Sequence, residues 1–230
     1  MTYEESLDWL YSTQQFGIKL GLDNIRSLLK ALDDPQDGLA FLHVAGTNGK
    51  GSVCAMLDSI LRAAGRKTGL YTSPHLVDFR ERIRVDAVKI PPEAVRGGLE
   101  RLREVAAGWA HSPTFFELAT ALAVRHFAEA GCELVVLETG MGGRLDATNA
   151  VVPLVSVITP VALDHTRWLG TTLAEVAGEK AGIIKPGVPV ISARQDPEAL
   201  AVIVDRTEQL GCRLKLVEGS FDGAVGLRGE

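Results

Sequence analysis

Ten residues constrain this chain more than any others: "HVAGTNGKGS", residues 43–52. An apolar run, "LAFLHVAG" (39–46), leads into them, and Val53, Leu57, Ile60 and Leu61 follow at helical spacing between Lys50 and Ala64. A strand that turns through glycines into a helix has the layout of a phosphate cradle, where successive backbone N–H groups and the positive end of the helix face an anion. The spelling departs from the usual loop, which opens on glycine and sets Ser or Thr directly after the lysine. Here Val44 holds the opening position and Gly51 separates Lys50 from Ser52. A plain Gly-rich turn carrying a solvated lysine is the competing reading, and the flanking strand and helix weigh against it. Gly46, Thr47, Asn48, Gly49, Lys50, Gly51 and Ser52 are the candidate nucleotide contacts. Lys50 is placed to reach the outer phosphates, and the Ser52 hydroxyl to assist them or their metal.

The rest of the chain alternates strand and helix. "KTGLYTS" (67–73), "CELVVLETG" (132–140), "LVSVITP" (154–160) and "VPVISA" (188–193) read as strands, several of them buried on both faces. "FRERIRVDAVKI" (79–90) alternates charged and apolar residues like a half-exposed extended ribbon. Helices are expected after Pro91-Pro92, over about 115–130 with Gly131 as the stop, over 172–184 and over 197–210. Such alternation predicts an α/β fold with a doubly wound, mostly parallel sheet. Residues 218–230, "EGSFDGAVGLRGE", form no clear element and read as a chain cut short.

At 230 residues the chain suits one large domain. A formal charge of −5 argues against a nucleic-acid partner. No apolar run approaches the ~20 residues that span a bilayer, and the acidic start "MTYEESLDWL" is unlike a signal peptide. Cys54, Cys132 and Cys212 form no CxxC pair, which with the missing signal suggests free thiols in the cytoplasm.

The loop "GTNGKGS" resembles that of the Mur ligase superfamily, and further motifs narrow the likeness. "FGIKLGL" (16–22), "YTSPHL" (71–76), "ERIRV" (81–85), "TFFE" (114–117), "ETGMGGRLDATN" (138–149), "ALDHTRWLG" (162–170) and "EKAGIIK" (179–185) are similar to folylpolyglutamate synthase and the bifunctional dihydrofolate synthase. The resemblance implies an ATP- and Mg²⁺-dependent ligase that joins L-glutamate to a folate-type carboxylate through an acyl phosphate. It implies a monomer whose residues 1–38 carry the N-terminal helices and whose residues 39–230 form a Mur central-type ATP-binding domain. That domain is expected to be truncated at its C-terminal end, with a second domain absent.

Site roles also follow from the resemblance. Glu138 and His165 bind the metals, with Ser73 completing one site. On chemistry alone Glu138 could be a strand-end acid, His165 a structural histidine beside Asp164, and Ser73 a turn residue. Lys180 reads from composition as an exposed helix lysine, whereas its family counterpart is carbamylated. Lys185 reads as structural. Ile18, Lys19 and Leu20 face the pteridine end of the substrate, Thr114 and Phe116 lie across the pocket, and Leu145, Asp146 and Ala147 form the remaining wall. Two rivals stand beside this reading. A cell-wall Mur ligase would need a UDP-binding domain before the loop, where only about 42 residues stand. A non-catalytic ATP-binding module would have no reason to keep Lys50, Glu138, His165 and Lys180 together.

Overall fold

The computed structural model describes residues 1–17 and 21–217. Two helices, α1 (Tyr3–Ser12) and α2 (Asp23–Ala31), precede strand β1 (Ala40–Ala45), helix α3 (Lys50–Ala63) and strand β2 (Thr68–Tyr71). Next come β3 (Ile83–Val85), β4 (Val88–Lys89), α4 (Pro92–Ala106), α5 (Phe115–Glu129) and β5 (Leu134–Glu138). The chain continues through β6 (Val155–Ile158), α6 (Thr166–Leu169), α7 (Leu173–Ala181), β7 (Val190–Ser192), α8 (Pro197–Gln209) and β8 (Leu214–Leu216).

These strands form one eight-stranded sheet in the order β4-β3-β2-β5-β1-β6-β7-β8. All neighbours are parallel except β2–β3 and β3–β4. The expected α/β class and mostly parallel sheet are therefore what the chain adopts. From β1 the chain crosses through α3 to β2 on one side, and from β5 it passes to β6 on the other. The strand order thus reverses around β1. In open α/β sheets the crevice at such a point, beyond the carboxyl ends of the strands, is where ligands bind.

Leu118, Leu122, Val124 and Phe127 of α5 pack with Leu99 and Leu102 of α4, Ile25 and Leu28 of α2 and Leu10 of α1 into the main core. A smaller core beneath α3 joins Val44, Cys54, Leu70 and Val136. Burying apolar area on both faces contributes roughly 25 cal/mol per Å², and this explains why the central parallel strands are rich in Val, Leu and Ile, as in "LVVL" of β5.

Three local readings change. Ile60 is 64% exposed, because the buried stripe of α3 runs through Cys54 and Asp58 and leaves Ile60 outside it. The ribbon expected over 79–90 opens instead with a 3₁₀ turn at Phe79–Arg82, held by a reciprocal cap between Asp78 and Glu81. Only then does it form the β3–β4 hairpin, whose turn residues Asp86 and Ala87 both take positive φ. The helix expected to reach 184 ends at Ala181, where Gly182 passes so close to Arg144 that a Cβ would lie 2.3 Å from the Arg144 Cβ. Strand β8 carried no strand signal of its own, being three residues long with two of them exposed. Residues 218–230 lie outside the described residues.

Candidate active site

The glycine loop leaves β1 with Gly46 at φ +148°, where an added Cβ would stand 1.8 Å from the Thr159 Oγ1. Only glycine fits there. The loop is stitched to the segment after β6: Thr47 N and Asn48 N donate to the Pro160 carbonyl at 3.0 and 3.3 Å. The Thr47 hydroxyl donates to Ala162 O at 2.9 Å and accepts from Ala162 N at 3.0 Å. Gly49, in the left-handed region at φ +81°, starts α3 with no side-chain cap. The N–H groups of the first turn are therefore left for an external acceptor. Lys50 folds back, its Nζ donating to Gly46 O at 3.0 Å and Thr47 O at 3.3 Å. Ser52 is exposed on the first turn of α3.

Lys180 is not the exposed helix lysine that composition favours. It is 3% exposed, and its Nζ donates to the same Gly46 carbonyl at 2.9 Å. Burial, and then the ammonium of Lys50, push its pKa down to about 8, while Asp164 and Asp146 pull it up. Roughly a tenth of such an amine is unprotonated at pH 7, and the neutral amine is the form that reacts with carbon dioxide. Lys185, read as structural, donates from Nζ to Asn149 O at 3.0 Å.

Glu138 closes β5 and is buried, with its Oε2 accepting from Ser73 N at 2.9 Å. Burial raises its carboxyl above the ordinary range, against the Ser73 N–H and the charges of Lys50 and Arg82. A Cβ on Gly51 would lie 3.7 Å from the Glu138 Oε1, so the carboxylate borders the first turn of α3. His165 stands apart on the exposed turn before α6, at φ +48°, with its side chain 54% exposed and Nε2 3.6 Å from Asp164. Ser73 and Glu138 are thus together, while His165 lies beside Asp164, one of the charges that pull the Lys180 pKa up. Among the described residues no three His, Cys, Asp or Glu side chains are grouped to hold a metal. One buried carboxylate beside a serine and a phosphate loop fits Mg²⁺, which is commonly held by one or two carboxylates plus substrate phosphates.

A cavity of about 380 Å³ opens beside this edge. Its lining includes Thr114, Phe116, Leu145, Asp146 and Ala147, so these five expected residues do come together. Ile18, Lys19 and Leu20 lie outside the described residues, while Gly17 and Gly21 on either side of them line the cavity. Phe116 is half-buried and presses on Gly140, where a Cβ would stand 2.6 Å from its Cζ. The Thr114 hydroxyl is engaged as the N-cap of α5, in a reciprocal pair with Glu117. Asp146 accepts from Gly140 N and Met141 N on Oδ2, at 3.0 and 2.9 Å. Its Oδ1 accepts from the Thr148 N–H and hydroxyl. Gly143 lets this loop press on α7, since a Cβ there would meet Glu179 O at 2.8 Å.

Sequence reasoning passed over Glu117, Arg82 and His43. The T-x-x-E spacing of a capping box marks Glu117. Arg82 is buried, its Nε donating to His75 Nδ1 at 2.7 Å and its guanidinium lying 5.2 Å from the Phe115 ring centre. A histidine inside an apolar strand was the available sign for His43.

The Mur ligase middle domain matches residues 44–213. The chain is 42% identical over 215 residues to the dihydrofolate synthase/folylpolyglutamate synthase of Bacillus subtilis, covering 90% of this chain and 49% of that protein. It is 40% identical over 218 residues to the folylpolyglutamate synthase of Lacticaseibacillus casei, covering 92% and 50%. A solved FPGS–AMPPCP–folate complex superposes with a TM-score of 0.85 at 38% identity, over 94% of this chain and 54% of that one. The chain spans about half the length of these relatives.

Proposed function

The chain belongs to the Mur ligase family, in the branch of folylpolyglutamate and dihydrofolate synthases, and we propose that it forms the part of an ATP- and Mg²⁺-dependent ligase that holds the nucleotide and a folate-type acid. The observation that carries this reading is the place of Glu138. It borders the first turn of α3 on one side, and two residues on Gly140 forms the cavity wall against Phe116. An acid lying with its flat end on Phe116 and its carboxylate at the Glu138 end of the cavity would face a nucleotide held by the loop.

In the proposed reaction that carboxylate attacks the γ-phosphorus of ATP, giving an acyl phosphate and ADP. The amine of L-glutamate then attacks the acyl carbon, forming the amide and releasing phosphate. Lys50 leaves the Gly46 and Thr47 carbonyls to meet the transferring phosphate, where the α3 N-terminus adds its dipole. Glu138 and Ser73, with His165 drawn in from its turn, would hold Mg²⁺, which supplies charge neutralisation to the phosphates. Lys180, once carbamylated, would place an anion beside the ion and cease to compete with Lys50 for Gly46 O. Phe116 offers a face for a flat heterocycle. No residue of this chain is assigned to glutamate. Orienting the two reactants can contribute roughly 7–11 kcal/mol to such a step, so the groups that hold glutamate are as necessary as those described here.

The protein is further proposed to be a cytoplasmic monomer. All three cysteines are free, and no helix of the described residues is long and apolar enough to cross a membrane. The test is ADP release by the full-length protein with dihydropteroate or tetrahydrofolate. Release that requires both the acid and glutamate supports the ligase; ATP hydrolysis indifferent to both refutes it.

A further inference from the structure

His43 lies at the middle of β1, fully buried, with Nε2 2.8 Å from the Thr148 Oγ1. The single hydroxyl proton of Thr148 goes to the Asp146 Oδ1. Thr148 Oγ1 can then only accept from the imidazole, so His43 carries its proton on Nε2. Its Nδ1 is sealed from solvent and has no partner among the described residues. The ring is accordingly neutral, and burial together with the charge of Lys185 holds its pKa down at about 3. From the sheet floor a directed chain therefore runs outward: imidazole N–H to hydroxyl, hydroxyl to carboxylate. The Asp146 carboxylate then collects the N–H groups of Gly140 and Met141. Gly140, Met141, Leu145, Asp146 and Ala147 are one wall of the cavity.

We propose that His43 is a positioning residue for the acid substrate. Its Nε2–H fixes the Thr148 hydroxyl on Asp146, and Asp146 thereby holds the Gly140–Met141 wall in its binding shape. A histidine is suited to this because phenylalanine of similar size would pack but not donate. Without the donor, the Thr148 Oγ1 loses its anchor on β1, and its bond to Asp146, one of the clamp's four, weakens. The role rests on the reading that the cavity takes the folate-type acid.

The test uses the full-length protein as His43→Phe, His43→Gln and Thr148→Val. Glutamine can place an amide N–H where Nε2 stands, so it should restore what phenylalanine loses. In His43→Phe and Thr148→Val the Gly140 and Met141 amides should exchange about tenfold faster, the effect of roughly one net hydrogen bond. KM for the acid should rise by about the same tenfold factor, with kcat and the KM for ATP within about twofold of the parent. His43→Gln should stay close to the parent in both readouts. Unchanged amide exchange in folded His43→Phe would overturn the proposal. So would a His43→Gln protein as impaired as His43→Phe, since packing rather than donation would then be at work. A parent protein that ligates nothing would refute the functional reading above, while the exchange of Gly140 and Met141 would still decide the role of His43.

Discussion

Lys180→Met removes a buried ammonium while keeping much of the side chain's bulk. The folded protein holds this lysine at a pKa of about 8 against an ordinary 10.5. At about 1.4 kcal/mol per pH unit, its protonated form therefore costs roughly 3 kcal/mol on folding at neutral pH. The hydrogen bond to Gly46 O offsets about 1 kcal/mol when it is lost. The variant should then be more stable than the parent by about 2 kcal/mol at pH 7. The sign with pH follows from proton counts. Below pH 8 both folded and unfolded chains carry the proton, and the cost is constant. Between 8 and 10.5 the unfolded chain keeps a proton that the folded chain has released, so the parent gains stability as pH rises. Above 10.5 neither form is charged, and the variant should be the less stable by about the lost hydrogen bond. Urea midpoints of the full-length parent and variant in carbon dioxide-free buffer, at pH 7 and pH 10.5, measure the difference, and titrating groups away from Lys180, Lys50, Asp146 and Asp164 cancel between them. A variant that gains stability while losing glutamate ligation would mark Lys180 as a residue held against stability for its chemistry. A stability difference that does not change with pH, or a variant less stable at pH 7, would refute the buried-ammonium argument.

The other expectations concern the same site. Lys50→Ala should lower ATP turnover by about a hundredfold or more while far-UV circular dichroism stays unchanged; an unaltered kcat would remove Lys50 from the phosphates. Glu138→Gln and His165→Ala should each weaken the Mg²⁺ dependence of activity more than ATP binding, as read by Mn²⁺ titration. His165→Ala is the sharper case, because its ring stands on an exposed turn and full metal stoichiometry in the variant would leave it there. With ¹³C-bicarbonate at neutral pH, the parent should show a carbamate signal that is missing in Lys180→Ala; a signal in both would place the modification on another amine.

The phosphate cradle was legible in the sequence because it is local. Glycines, lysine, strand and helix lie within 25 residues (39–63), although the bonds that fix the loop run to Pro160, Ala162 and Lys180, far along the chain. The parallel sheet was legible because short β-branched runs between turn residues alternate along the chain with segments of helical spacing. What the spacing could not supply was the depth at which polar groups sit. Lys180 reads as a surface lysine because its burial depends on α7 pressing against the loop of Gly143 and Arg144, far earlier in the chain. The contact is made possible by Gly143 and Gly182, at neither of which a Cβ would fit. His165 is the reverse case: its motif suggests a built ligand, yet the turn leaves it facing solvent. His43 was hidden for a third reason, because a single polar residue in a strand gives no period to detect. Yet a polar group taken out of water costs free energy unless it is bonded. A lysine among Ala177, Gly178, Ala181 and Gly182, and a histidine between Leu42 and Val44, are therefore two of the places where the pattern conflicts with the residue, as Ser156 between Val155 and Val157 is another. The lysine and the histidine lie directly behind the proposed binding surfaces, Lys180 on the loop carbonyl and His43 beneath the cavity wall. Small residues around a long polar one, or a lone polar residue in a buried strand, signal a group placed to act on its neighbours. That signal survives in the sequence even where the contact itself does not.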